Sequence, residues 1–337
     1  MKQVAEELGV RYVLEGSVRR EGKKVRITAQ LIDAITGHHL WADRYDRNLR
    51  DIFAVQDEIT KNIITALQVK LTYGEFANIA AKGTENLEAF IKYMQAIANL
   101  THHTKEGKAM GQKLAEEAIA LDPKYPKGYI ALAQTHILDI WFGTTDSPEK
   151  TLTKALELLK KAIALDDSDP DAHGVLGYVY TMMGQHDKAI AEVERAVSLN
   201  PNSFGNLLRL GFVLLHAGRP EEAIPALKSS RRLSPIEPIQ AHFVILATAY
   251  RLTGQYKEAI ETAKEALRNV PNNIFIHLQL TATYSMMGRE EEARAAAAEV
   301  MKINSKFSLE QYEKTLYFKN QADTDRTIEA LRKAGLK

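Results

Sequence analysis

The feature that most constrains this chain is a repeat. Small residues recur at Ala155, Ala189, Ala223, Ala259 and Ala293, with gaps of 34, 34, 36 and 34 residues. Glycines keep the same beat at Gly184, Gly218, Gly254 and Gly288, and prolines at Pro201, Pro235 and Pro271. Tyr180, Tyr250 and Tyr284 hold a matching place, with Leu214 in the remaining copy. Several residue types in one register at this period imply an array of like units. Within a unit, DAHGVLGYVYTMMG is a helix-length apolar pattern that stops at Gly, which ends a helix by taking a left-handed backbone. A second helical pattern follows, as in QHDKAIAEVERAVSLNP. Two such helices cannot bury their apolar faces alone, so neighbouring pairs must stack. Ala189 and its equivalents belong where the helices of a pair cross, because only a small side chain permits close approach.

This pattern resembles the tetratricopeptide repeat: a small residue (Gly177, Gly211, Ala247), then Tyr180, Ala189, Ala196 and Pro201. Four clear copies lie in 170–305. His173, Leu207 and His277 stand where that family often has Trp, and Ser230 and Val300 replace the second small residue. Weaker copies precede them, at 86–123 and at 124–167 with an insertion around 141–151. Helices near 308–318 and 323–334 form a terminal cap. The expected fold class is mainly α, an α-α superhelix of about six helix pairs plus the cap.

The first seventy residues change period. YVLEGSVRR (12–20), KVRITAQLID (24–33) and HLWADRY (39–45) read as strands, with Val25, Ile27, Ala29 and Leu31 on one face and Arg26, Thr28 and Gln30 on the other. Glu21-Gly22 and Thr36-Gly37 mark hairpin turns. A short helix over 2–8 and a long one over 49–71, begun by Asn48, complete a small α+β unit with a three-stranded antiparallel meander. Its open strand edge invites another strand, and hence homo-oligomerisation. LGVRYVLEGSVRREGKKVRITAQLIDAITGHHLWADRYDRNLRDIFAVQDEI resembles the second half of the TolB-like domain that precedes tetratricopeptide arrays in bacterial class III adenylate/guanylate cyclases. The ending ADTDRTIEALRKAGLK resembles theirs too. The resemblance implies a partial TolB-like domain over 1–73, a linker over 74–85 and the array over 86–337, with the catalytic domain upstream. Similar modules also follow winged-helix DNA-binding domains in bacterial regulators.

Composition narrows the function. Lys plus Arg number 44 against 43 Asp plus Glu, a formal charge of +1 that argues against nucleic-acid binding by bulk charge. The absence of Cys removes disulfides, Cys-based zinc sites, iron–sulfur clusters and thiol nucleophiles. MKQVAEELGVRYVLEG does not read as a signal peptide, and no stretch is apolar enough to span a membrane, so a cytoplasmic location is expected. There is no GxxxxGKS/T, GxGxxG, HExxH or GxSxG motif. The pairs His38-His39 and His102-His103 point to different sides of any helix or strand and make poor chelates. The basic run around Glu21-Gly22 spans a hairpin tip, where charges are ordinary. The expectation is no catalytic residue, metal, cofactor or small-molecule substrate.

Repeat arrays bind partners on an extended inner surface. By resemblance to the family, the first helix of each pair lines it. This places Ile130, Gln134 and Leu138 there, then Gly174, Tyr178 and Met182, then Leu208, Phe212 and Leu215. Val244, Thr248 and Arg251 follow, and finally Phe275, Leu278 and Met286. The Lys and Asn set with which some arrays clamp a terminal carboxylate is missing. Two outcomes compete. The groove receives an apolar or amphipathic segment of a protein partner, or it is taken up without one: the array buries Tyr178 and Phe212 itself, a terminal helix fills it, or oligomer packing covers it. The implied role is the sensor or scaffold end of a cyclase-type signalling protein. The alternatives are the effector or oligomerisation module of a winged-helix regulator, or a free-standing adaptor.

Overall fold

A computed structural model describes residues 10, 12–22, 24–34, 37–48, 59, 83–100, 104–233 and 240–337. The expected helices over 2–8 and 49–71, and the two extra residues at 235–239, lie outside the described residues. Contacts divide the chain into two units, Met1–Glu85 and Asn86–Lys337.

In the first unit β1 (Tyr12–Glu21), β2 (Lys24–Asp33) and β3 (His39–Asn48) form an antiparallel sheet in the order β1-β2-β3. Gly22 and Gly37 take positive φ of 60° and 74° at the two turns, as the hairpins require. The alternation in β2 buries Val25, Ala29 and Leu31 and leaves Arg26 exposed, where it pairs with Asp46 at 2.6 Å. Leu14 and Val18 on β1 are exposed.

The second unit is helical. Its pairs are α1 (Leu87–Leu100) with α2 (Lys105–Leu121), α3 (Pro126–Trp141) with α4 (Pro148–Leu165), and α5 (Pro170–Met182) with α6 (His186–Leu199). Next come α7 (Phe204–His216) with α8 (Pro220–Leu233), α9 (Gln240–Leu252) with α10 (Tyr256–Asn269), and α11 (Ile274–Met286) with α12 (Glu290–Ile303). The cap is α13 (Leu309–Glu313) and α14 (Gln321–Lys333).

The repeat residues do local work. Gly184, Gly218, Gly254 and Gly288 have φ of 71, 79, 76 and 72°. The next residue, Gln185, Arg219, Gln255 or Arg289, donates its N–H back to the carbonyl of Tyr180, Leu214, Tyr250 or Tyr284 at 2.8–2.9 Å. This is the left-handed helix stop that satisfies otherwise orphaned carbonyls. The next helix then starts at once, so the pair is a tight hairpin. Ala189, Ala223, Ala259 and Ala293 are at most 1% exposed. Where Ser230 replaces a small apolar residue, its hydroxyl donates to the Phe204 carbonyl at 2.8 Å.

The cap departs from expectation. The helix expected over 308–318 is one short turn, begun by Ser308, whose side chain accepts from the Gln311 N–H. Leu316, Tyr317 and Phe318 are not helical. A helix there would turn consecutive side chains about 100° apart, whereas these three must reach separate parts of the stack.

Candidate partner-binding groove

The first helices of the pairs carry the expected groove positions, and the structure joins several of them into an aromatic row. Trp141, at the end of α3, meets Tyr178 of α5 edge-on, with ring centroids 6.1 Å apart. Tyr178 meets Phe212 of α7 edge-on at 4.6 Å. One turn along α7, His216 lies 4.1 Å from Phe212. Rings at such distances add stabilisation beyond the area they bury. Burial pushes the Tyr178 hydroxyl up to about 12. The His216 Nδ1–H donates to the Phe212 carbonyl at 2.8 Å, which fixes that nitrogen as the protonated one. Burial holds the His216 ring down to about 4, against that hydrogen bond.

The row continues into the chain's own carboxyl-terminal segment. Phe318 stacks on His216 with centroids 5.0 Å apart and planes at 16°, and Tyr317 lies 6.3 Å from the same ring. The Lys319 N–H donates to the His216 carbonyl at 2.7 Å, and its ammonium pairs with Asp187 at 3.2 Å. Asn320 packs against the turn at Gly218. The segment 316–319 is therefore a strap over the end of the aromatic row, where the groove is expected. Burial pushes the Tyr317 hydroxyl up to about 12. Beside the strap, Gly184–Lys188 together with Phe318 and Lys319 line an open cleft of about 750 Å³.

Towards the array's end α14 covers the expected groove positions of the last pairs. Arg251 is 2% exposed; its Nη1 donates to the Thr327 hydroxyl of α14 at 3.1 Å and faces the Met286 sulfur at 3.8 Å. Its Nε has no hydrogen-bond partner, and Asp323 of α14 acts on the guanidinium as a charge without a hydrogen bond to it. Burial lowers its guanidinium to about 10.

The expected groove residues thus divide. Ile130, Leu138, Met182, Leu208, Phe212, Leu215, Arg251 and Leu278 are buried in the stack. Gln134, Tyr178 and Met286 are half-buried, and Phe275 is 47% exposed. Near the amino-terminal end of the array, Lys127 of α3 reaches Asp169 at 3.0 Å and Asp171 of α5 at 2.9 Å, and Arg209 of α7 reaches Asp171 at 3.1 Å. Burial opposes ionisation of Asp171, but Arg209 and Lys127 outweigh it and hold the carboxyl near 2. This ladder ties three repeats together.

Trp141, His216, the charge ladder and the strap were not among the expected residues. The one signal for the strap was an aromatic pair, Tyr317-Phe318, outside the repeat register. Among the described residues no group of three His, Asp or Glu could hold a metal, and no helix is long and apolar enough to cross a membrane.

Comparison with known proteins agrees with this architecture. Tetratricopeptide repeat models match residues 149–203, 182–238 and 208–274. The chain is 40% identical over 192 residues to putative adenylate cyclase 3 of Rhizobium meliloti, covering 56% of this chain and 32% of that protein. It is 22% identical over 302 residues to the transcriptional regulator HilA of Salmonella typhimurium, covering 88% of this chain and 53% of that protein. It therefore spans about a third of one relative and half of the other. The crystal structure of the APC/C hetero-tetramer Cut9-Hcn1 shares the fold, with TM-score 0.53 and 15% identity, covering 79% of this chain and 51% of that chain.

Proposed function

We propose that this chain, a bearer of tetratricopeptide repeats, is a non-catalytic protein-interaction module whose groove takes an apolar or amphipathic segment of a protein partner. The observation that carries this reading is the aromatic row Trp141–Tyr178–Phe212–His216, which runs across three repeats and meets a non-helical segment, here the chain's own. A groove that accommodates Tyr317 and Phe318 has the width and polarity for such a ligand. The likeness to a putative adenylate cyclase supports a place as the sensor or scaffold part of a cyclase-type signalling protein, with the catalytic domain and the first half of a TolB-like domain upstream.

A second reading places the same module behind a DNA-binding domain. It is favoured by the match to the transcriptional regulator, which runs over 302 residues and so includes both units. The coding sequence upstream of Met1 separates the two: a cyclase domain supports the first and a winged helix the second. The interaction role itself is tested with the full chain as bait, comparing it with Tyr178→Glu and Phe212→Glu variants whose helicity is checked. Loss of specific partners in the variants is expected. Unchanged partners and unchanged oligomeric state would sink the reading, as would nucleotide turnover by the purified chain.

A further inference from the structure

We infer that the strap 316–319 is an internal stand-in for the partner, and that the groove recognises a non-helical segment with two consecutive aromatic residues followed by a basic one. This rests on the interaction reading above and names the chemistry of its ligand.

Three features of the strap carry the inference. First, its side chains are distributed as a ligand's would be. Leu316 packs on the core of the last repeats, Tyr317 touches the two cores before it, and Phe318 joins the one that holds Phe212. Tyr317 and Phe318 both reach the His216 ring, and Tyr317 also reaches the core before it, so one short non-helical stretch engages more than one part of the stack.

Second, the anchoring hydrogen bond uses a group left free by the fold. His216 is the last residue of α7. The carbonyls of Leu214 and Leu215 are taken by Arg219 and Gly218, whereas that of His216 receives the Lys319 N–H. Any peptide backbone can supply that donor, because helix ends leave such carbonyls unpaired. Side chains then set the preference: the flat stack on His216 selects an aromatic ring, and Asp187, at the start of α6, selects a cation.

Third, the strap is held more loosely than the helix that follows it. Tyr317 and Phe318 are half-buried and Lys319 is exposed, while Ile328, Leu331 and Leu336 beyond them are at most 4% exposed. The Asp187 side chain is 91% exposed and stands in the open cleft, where an incoming cation can pair with it before Phe318 leaves its stack. The strap can thus be displaced while α14 stays docked on α11.

The test uses a labelled peptide of residues 314–322, KTLYFKNQA, titrated onto the full chain and onto a Tyr317→Ser/Phe318→Ser variant. An occupied groove lowers apparent affinity by the fraction of chains that are open, so the variant should bind about ten-fold or more tightly than the parent. A peptide with Glu in place of Lys319 should bind weakly, and Asp187→Lys should restore it. Equal binding to both chains, no binding to either, or a dimer that exchanges caps without binding peptide would overturn the inference. Should the variant fail to fold, hydrogen exchange on the parent decides: the Lys319 amide must exchange faster than those of α14, and equal protection refutes an independently opening strap. If the peptide fails while Phe212→Glu still loses its protein partners, the stand-in is wrong and the interaction role stands.

Discussion

The ring of His216 meets two aromatic neighbours: Phe212, one turn earlier on α7, tilted by 37°, and Phe318, more than a hundred residues later, stacked at 16°. This stack joins the repeat stack to the cap and makes the strap open to experiment.

Removing the outer ring should loosen the strap without unfolding the array. Phe318 is half-buried, so Phe318→Ala is expected to cost about 1–2 kcal/mol, less than a core Phe→Ala change. Denaturant titration gives the magnitude. Trypsin should cut at Lys319 sooner in the variant than in the parent, and an unchanged cleavage rate would show that the ring does not hold the strap.

Acid should destabilise the array. Burial holds the His216 ring near 4, whereas in the unfolded chain it titrates near 6.5. The neutral ring therefore stabilises fully above pH 6.5, and this contribution fades as pH falls from 6.5 towards 4. The loss is of order 2–3 kcal/mol by pH 4. Its charged neighbour His186 works in the same direction, and is itself shifted down by burial and by Lys319 against Asp187. Thermal melts between pH 7 and 4 should show a decline that flattens in His216→Phe. His242, also held near 4 by burial, adds a slope in the same direction in both chains.

Arg251 carries a buried charge that no carboxylate pairs with directly among the described residues, although Asp323 of α14 acts on it from farther off. Burying a charge is costly, and replacing it with an apolar side chain of similar length removes that cost. Arg251→Met should therefore raise stability, by about 1–2 kcal/mol, while Thr327→Val, which removes the guanidinium's acceptor, should lower it by about 1–2 kcal/mol. Differential scanning calorimetry reads both; a destabilised Arg251→Met chain would mean that Asp323 and the Thr327 hydrogen bond outweigh the cost of burial.

The close crossing of α7 and α8 leaves no room at Gly211. A Cβ there would stand 2.5 Å from Leu227, a side chain that is 0% exposed. Gly211→Ala should cost about 1–3 kcal/mol by overpacking, in spite of Ala's better helix propensity. A melting temperature at or above the parent's would contradict the packing.

The sequence by itself determined the helix pairs, their order and their ends, because these depend on interactions a few residues apart or one repeat away. A left-handed Gly stops a helix through its own neighbours, and a small residue such as Ala189 is required wherever two adjacent helices cross. The same reasoning placed the strands of the first unit, since alternation in β2 directly reports a half-buried sheet. Tertiary structure alone decided what lies in the groove. Periodicity does not say that 316–318 leaves the helix, since Leu, Tyr and Phe serve either conformation. Nor does it say that Lys319 pairs with Asp187 across 132 residues of chain. The same holds for His216 and Arg251, whose burial comes from the cap that folds over them. A residue's titration and accessibility follow from what covers it, and in a stacked array that cover can come from the far end of the chain.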